Sequence, residues 1–165
     1  MSDIDDLCFT QDSSGEDSGE INPADIRLAA MNFLARREHT LRELQQKLKK
    51  RFPSEDLVAV ELHRLAQENL QSDARFAQSF VRERANRGYG FIRVRQEMID
   101  RGLAAAEING ALECAEIDWS AVAQEVYRKK FGQHAATDLK EKARRVRFME
   151  YRGFDRDCYQ DLLKE

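Results

Sequence analysis

The sequence predicts an all-α protein made of three tandem three-helix repeats, which form an elongated, curved array behind a disordered acidic N-terminal tail. The first indication is composition: of 165 residues, 35% are charged and 42% apolar, with only two prolines and eight glycines, which favours helices. The second is that helix start signals recur along the chain, whereas alternating β-branched runs bounded by turns are absent. The third is that similar residues recur at an offset of 51 positions.

The N-terminal segment 1–22 differs from the rest of the chain in composition. It is rich in Asp, Ser, Glu and Gly and holds few apolar side chains, so it cannot bury enough surface to offset its chain entropy. We predict a disordered acidic tail. Residues 1–25 contain eight acids and no Lys or Arg, which leaves 22 acids against 27 bases in residues 26–165. The whole-chain net charge of −3 therefore conceals a body of +5.

The first repeat is predicted at residues 24–70. Asn22, followed by a proline, caps its first helix; Thr40 and Glu43 form a capping box for the second, and the segment 53–56 opens the third. Helical spacing selects the residues that should face inward. They are Leu28, Met31, Leu34, Ala35, Leu41, Leu44, Leu48, Leu57, Val58, Leu62 and Leu65.

The second repeat is predicted at residues 72–116. Ser72 starts the fourth helix, and the triplet at 88–90, Gly-Tyr-Gly, stops it. The fifth helix ends at Gly102, a residue type suited to a left-handed cap, and the sixth runs from about 104 to 114. The predicted inward residues are Phe76, Phe80, Val81, Ile92, Met98, Ile99, Ile108 and Leu112.

The third repeat is predicted at residues 118–165. Asp118 caps the seventh helix, and a capping box at 138–141 opens the eighth. The eighth helix ends at Gly153, and Asp155 begins a ninth. The predicted inward residues are Val122, Val126, Tyr127, Val146 and Met149.

The repeats align at six positions. One equivalent residue stands just past each basic helix and a second stands inside the helix that follows, so the spacing is matched twice. The first set is Phe52, Leu103 and Phe154, and the second is Leu57, Ile108 and Tyr159.

Charge follows the same repeat. Residues 36–51 carry a net charge of +5, and residues 75–101 and 140–156 carry +4 each. In contrast, residues 53–73 hold five acids and one base, and residues 103–118 hold four acids and no base. Stacked in register, three such units would present a basic face.

Basic residues with interleaved aromatics surround the Gly-Tyr-Gly turn. Guanidinium groups could follow a phosphate backbone while an aromatic ring stacks on a base. The alternative is a solvated helical face on which Glu83 and Glu97 pair with the arginines. The candidate residues for DNA or filament contact are Arg82, Arg84, Arg87, Tyr89, Arg93, Arg95, Lys47, Lys49, Lys50, Arg144, Arg145 and Arg147.

Other kinds of site are not indicated. The histidines are isolated, the glycine pair lacks the third glycine of a dinucleotide loop, and no nucleophile elbow occurs, so we predict no metal, no cofactor and no enzymatic activity. No apolar run reaches the ~18 residues of a membrane span, and a cytoplasmic protein is expected. Three cysteines without a C-x-x-C pair are expected to be reduced and mostly packed: Cys8, Cys114 and Cys158.

Several segments together resemble the bacterial RecX family. Asp73-Ala-Arg-Phe76, the run from Arg84 to Gly90 that ends in Gly-Tyr-Gly, and Arg93-Val-Arg-Gln-Glu97 stand in a fixed order. The segments 116–132 and 147–154, the latter ending in Tyr-Arg-Gly-Phe, extend the resemblance toward the C-terminus. It covers about residues 24–165 and excludes the acidic tail.

The resemblance implies a regulatory protein that modulates the RecA recombinase. Family members consist of tandem three-helix units that lodge in the groove of the RecA–DNA filament and lower its ATPase, strand-exchange and co-protease activities. Recombination, DNA repair and the SOS response would be modulated in this way. The implied partners are the RecA filament and single- and double-stranded DNA of any sequence. We expect a monomer with no cofactor and no membrane association.

Two other classes of function remain open from the residues. A transcription regulator is one, because helix–turn–helix domains are also small three-helix units, although three similar basic segments argue against a single recognition helix. A protein-interaction scaffold, in which charge only maintains solubility, is the other. The salt dependence of DNA binding would distinguish the scaffold from the DNA-binding alternatives.

Overall fold

The regular structure of the chain is helical throughout residues 22–163, the part that this computed structural model describes. The predicted all-helical class is confirmed, whereas the predicted disordered tail at 1–22 lies, apart from Asn22, outside the described residues. Two short 3-10 helices, Arg156–Cys158 and Asp161–Leu163, stand in place of the predicted ninth helix. The α-helices are α1 (Pro23–Leu34), α2 (Leu41–Lys49), α3 (Glu55–Gln67), α4 (Asp73–Asn86), α5 (Phe91–Asp100), α6 (Ala105–Cys114), α7 (Trp119–Phe131) and α8 (Leu139–Arg152).

The predicted capping residues start their helices. Ser72 Oγ accepts from the Arg75 N–H at 3.3 Å, and Asp118 Oδ1 accepts from two N–H groups at 3.0 Å. Thr40 also caps α2, but the carboxylate of Glu43 binds Arg37 and His39, so only one half of that capping box forms as predicted.

The apolar side chains form three separate cores. Helices α1–α3 enclose the first, α4–α6 the second, and α7, α8 and the 3-10 helices the third. The six residues related by the 51-residue offset divide evenly, because each core includes one residue of each set. Each unit therefore has its own hydrophobic core, as in proteins built from repeats.

Helix α1 buries a face that matches the predicted one only in part, with Met31 and Leu34 packed against the first core as expected. Leu28 is exposed, whereas Ile26, Ala29 and Ala30 are buried against the first core. The two alanines allow the α1 backbone to come close to α3, its main neighbour. Helical spacing also fits an inward Leu28, but the close packing of the two alanines turns this residue outward.

The orientation of helix α5 is likewise set by packing against its neighbouring helices. Ile92 and Ile99 are exposed, although the sequence predicts them to be inward, and Val94 and Met98 fill the second core. Apolar residues lie on two faces of this helix, so periodicity alone does not choose between them. Contacts with α4 and α6 decide the orientation. Cys114, expected to be packed, is also exposed.

Candidate nucleic-acid interface

The C-terminal end of α8 contacts the N-terminal end of α5. The N–H of Gly90 donates to the carbonyl of Arg152 at 2.9 Å, and the N–H of Ile92 donates to the carbonyl of Gly153 at 3.0 Å. Such terminal groups lack partners within their own helices. Each helix end therefore satisfies the other, and the opposite partial charges of the two helix dipoles meet.

Glycine is required on both sides of this junction. Gly153 has a φ of +84°, and a Cβ there would lie 2.5 Å from the backbone nitrogen of Arg93. A Cβ on Gly90 would overlap the carbonyl of Gly153, with its carbon 2.5 Å away. A Cβ on Gly88 would lie 2.6 Å from Val126 Cγ2. The Gly-Tyr-Gly triplet thus allows the second and third units to pack closely, in addition to ending α4.

The junction between the first and second units repeats this arrangement. Thr40 Oγ1, at the start of α2, donates to the carbonyl of Arg101, at the end of α5, at 3.3 Å. Gly102 has a φ of +81°, and a Cβ there would lie 2.5 Å from Arg42 Cδ. The second helices of the three units, α2, α5 and α8, therefore contact one another end to end. Helix α8 carries most of the bases of its basic segment, whereas α2 and α5 carry three and two of the seven bases of theirs.

The Asp-x-Arg-Phe segment at the start of α4 strengthens the first junction. The N–H of Leu41 donates to Asp73 Oδ1 at 2.8 Å, and Arg75 Nε donates to Glu38 Oε1 at 2.8 Å. Phe76 packs in the second core. These motif residues therefore join the first two units.

Three of the predicted contact residues, Arg84, Tyr89 and Arg93, are half-buried and contact groups of the protein itself. Arg84 Nε lies 2.9 Å from Glu97 Oε2 in an ion pair whose side chains are only 17% and 19% exposed. Arg93 Nε donates to the other oxygen of Glu97 at 3.0 Å. The guanidinium carbons of Arg84, Arg93 and Arg152 lie 5.5, 4.6 and 5.3 Å from the centre of the Tyr89 ring. These cations cover a ring that the sequence offered for base stacking.

Arg145 is also enclosed, with only 3% of its side chain exposed. Its guanidinium donates to Tyr127 Oη at 2.8 Å, to the His134 carbonyl at 2.7 Å and to Glu141 Oε1 at 2.6 Å. All of these partners belong to the third unit. We therefore assign Arg145 to the internal structure of that unit, and not to the interface for which its charge had selected it.

The Glu141 carboxylate should make the third unit sensitive to acid. The Thr137 N–H and then the Arg145 guanidinium lower the pKa of Glu141 from 4.5 to about 2. Because the folded pKa lies below the unfolded one, this stabilisation is complete above pH 4.5 and is lost as the pH falls toward 2. We expect Glu141→Gln to lower the melting temperature by a few degrees at pH 7 and to flatten its acid dependence, as measured by circular dichroism. Glu150→Gln, an exposed change on α8, should leave both unchanged; equal effects would contradict this role for Glu141.

The remaining basic candidates reach solvent to different degrees. Arg82, Arg95 and Lys50 are exposed. Lys47 lies over the Phe33 ring at 4.7 Å, and burial lowers the pKa of this lysine. The surface ion pairs Lys49–Glu55 and Arg87–Glu83, at 2.8 and 3.1 Å, are of the kind that contributes little stability. Arg144 and Arg147 are exposed on α8.

Sequence reasoning missed Tyr151, which lies at the C-terminal end of α8. This residue is 74% exposed, in contrast to the covered ring of Tyr89. The spacing that could have revealed it is Lys140, Arg144, Arg147 and Tyr151, because intervals of four, three and four place these residues on one helix face. In the sequence, the pattern that predicted this helix was that of its inward-facing residues, Val146 and Met149.

Neither a metal site nor a membrane-spanning helix is found among the described residues. Within residues 22–163, no group of three or more His, Cys, Asp or Glu side chains is placed to hold a metal ion. No helix of this same region has both the length and the hydropathy to cross a membrane.

Comparison with known proteins identifies the family. The family model for the second three-helix domain of RecX matches residues 72–112, and the model for the third matches residues 116–161. The "Regulatory protein RecX" of Pseudomonas putida KT2440 is 45% identical over 141 residues, which cover 86% of this chain and 90% of that protein. The protein of the same name from Ectopseudomonas mendocina ymp is 43% identical over 143 residues, or 87% and 95% of the two chains.

Solved structures share the fold. A crystal structure of regulatory protein RecX superposes with a TM-score of 0.75 at 20% identity and covers 87% of this chain and 73% of that one. RecX from Lactobacillus salivarius superposes with a TM-score of 0.68 at 18% identity, over 86% and 94% of the two chains. From these matches in sequence and fold, the chain belongs to the RecX family of regulatory proteins.

Proposed function

We propose that this protein binds the RecA–DNA filament and inhibits its ATPase, strand-exchange and co-protease activities, and so modulates recombination, DNA repair and the SOS response. Family membership and the implied role of RecX support the proposal. The observation that carries it is the repeated end-to-end contact of α2, α5 and α8, because this contact places exposed bases from all three units on neighbouring helices.

A protein built of three similar units is suited to bind a filament that is itself built of repeated RecA subunits. Each of the predicted units, 24–70, 72–116 and 118–165, has its own core, and the second helix of each unit carries exposed bases. Several weak contacts on one rigid support combine strongly only when all of them can reach the target at once. Inhibition then follows because a stiff array that bridges neighbouring RecA subunits opposes the rearrangements that ATP hydrolysis requires.

The proposed contact set contains only exposed bases. It retains candidates on α5, on α8 and at or near the ends of α2 and α4. It leaves out Arg84, Arg93 and Arg145, whose guanidinium groups are held by other residues of the protein, and Lys47, which lies over the Phe33 ring. Contact with phosphates should be tolerant of DNA sequence and sensitive to salt. The proposed set is Arg82, Arg87, Arg95, Lys49, Lys50, Arg144 and Arg147.

The test is a titration of RecA ATPase activity on single-stranded DNA. We expect wild-type protein to inhibit ATP hydrolysis, and the double variant Arg95→Glu/Arg147→Glu to require at least about tenfold more protein for half-inhibition, since two phosphate contacts become repulsive. The control, Arg128→Glu/Lys129→Glu, changes the net charge equally on α7, where both side chains are exposed.

The possible outcomes distinguish the parts of this proposal. Absence of inhibition by the wild-type protein would overturn the assignment to RecA. Inhibition by both double variants at equal concentrations would instead overturn the contact set. Sedimentation of the protein with assembled filaments measures binding independently of hydrolysis.

A further inference from the structure

The outer face of α8 carries a basic stripe that ends in an exposed aromatic ring. Lys140, Arg144, Arg147 and Tyr151 are all exposed, and at about 100° per residue they lie within about 60° of one another around the helix. With a rise of about 1.5 Å per residue, the stripe is roughly 16 Å long. It combines cations for phosphates with a ring for a base, on a rigid element.

The protein holds this ring in position from one side. The Arg93 guanidinium carbon lies 5.1 Å from the centre of the Tyr151 ring, and Arg93 Nη1 donates to the Tyr151 carbonyl at 3.1 Å. Arg93 is itself held by Glu97 at 3.0 Å. The ring therefore rests on an anchored cation while the residue stays 74% exposed to solvent. Such preorganisation reduces the entropy lost on binding.

We propose that Tyr151 stacks on a base of single-stranded nucleic acid, with Arg147 and Arg144 contacting the adjacent phosphates. The proposal rests on the DNA binding in the proposed function and assigns a specific subsite to it. A base is available for stacking only where it is not already stacked in a duplex, so the subsite favours single strands. The negative charge that follows such a strand complements the stripe.

The experiment measures fluorescence anisotropy of labelled oligothymidine with full-length wild type, Tyr151→Ala and Tyr151→Phe. We expect Tyr151→Ala to weaken binding at least about fivefold, because base–aromatic stacking is lost, and Tyr151→Phe to bind nearly as wild type. On an abasic oligomer of equal length, which keeps its phosphates, all three proteins should bind alike. On duplex DNA the loss should be much smaller.

A matched control removes an exposed apolar side chain elsewhere on α8. Leu139 is 85% exposed at the N-terminal end of the helix and lies off the stripe, so Leu139→Ala should bind oligothymidine as the wild type does. Thermal unfolding of every variant checks that the fold is intact. Arg147→Ala should weaken binding on thymidine and abasic strands equally and reduce the salt dependence.

Each outcome separates the alternatives. Unchanged oligothymidine binding by Tyr151→Ala would overturn the stacking site, and so would an equal loss on thymidine and abasic strands. Loss of RecA inhibition by this variant with unchanged DNA binding would make Tyr151 a protein contact and also overturn the site. If the wild type binds no DNA at all, the DNA-binding part of the proposed function fails together with the subsite.

Discussion

Gly90→Ala should destabilise the protein by about 2–3 kcal/mol, because the added Cβ would overlap the Gly153 carbonyl at the junction of α5 and α8. The neighbouring atoms are backbone, which cannot rotate away as a flexible side chain can. Gly90 has a φ of −86° and a ψ of 167°, values that alanine adopts easily. The loss would therefore report the close approach of the two units and not backbone strain.

The natural control is the same substitution in α6. Apart from its chain neighbours and the nearby backbone of its own helix, no atom would lie within 4 Å of a Cβ on Gly110, and alanine is the better helix former. Gly110→Ala should therefore stabilise the protein by about 0.5–1 kcal/mol. Equilibrium unfolding in urea measures both variants. The same sign of change for both would contradict the steric role of Gly90.

The junction variant also tests the proposed mechanism. If inhibition of RecA requires the second and third units to act as one body, Gly90→Ala should inhibit less at equal concentration while retaining the exposed bases. Unfolding should become broader, because repeat units that lose their interface unfold less cooperatively. Full inhibition by a variant with an uncoupled third unit would argue against bridging.

Glu97→Ala should destabilise the protein by about 2–3 kcal/mol, between the values typical of exposed and buried ion pairs. The change leaves Arg84 and Arg93 without their shared carboxylate, and a third guanidinium, that of Arg101, lies 3.9 Å from it. All of these side chains are less than one-third exposed, so the surplus positive charge is poorly solvated.

The control for this prediction is Glu83→Ala on the neighbouring helix. Glu83 pairs with Arg87, and both side chains are more than half exposed, so this change should cost less than about 0.5 kcal/mol. Combining Glu97→Ala with Arg93→Ala should cost less than the sum of the two single changes, because the double variant has fewer unpaired cations. Equal unfolding midpoints for Glu97→Ala and Glu83→Ala would refute the network.

The local features of the fold were readable from the sequence. Ser72 and Asp118 cap helices through bonds to N–H groups two or three residues away, and Gly102 and Gly153 take positive φ values where basic helices end. Such signals act within one turn of helix, so the nearby residues suffice to predict them. The 51-residue offset likewise needed only residue types and spacing.

The sequence did not indicate which of two apolar faces a helix would bury. Leu28 and Ile92 fit a helical stripe, yet they are exposed, because α1 and α5 turn other residues toward their partner helices. A helix that has apolar residues on two faces does not specify which one it will bury. Only the shape of the neighbouring helices settles it.

By itself, the sequence determined the helices, their caps, the repeat and the segments in which basic charge is concentrated. Tertiary structure alone decided which of the candidate side chains are free to meet a partner. Ion pairs and aromatic rings hold Arg84, Arg93 and Arg145, whereas the aromatic side chain of Tyr151 is exposed. The physical reason is distance along the chain. Arg93 meets the carbonyl of Tyr151 across 58 residues, and such a contact exists only once separate units have packed together.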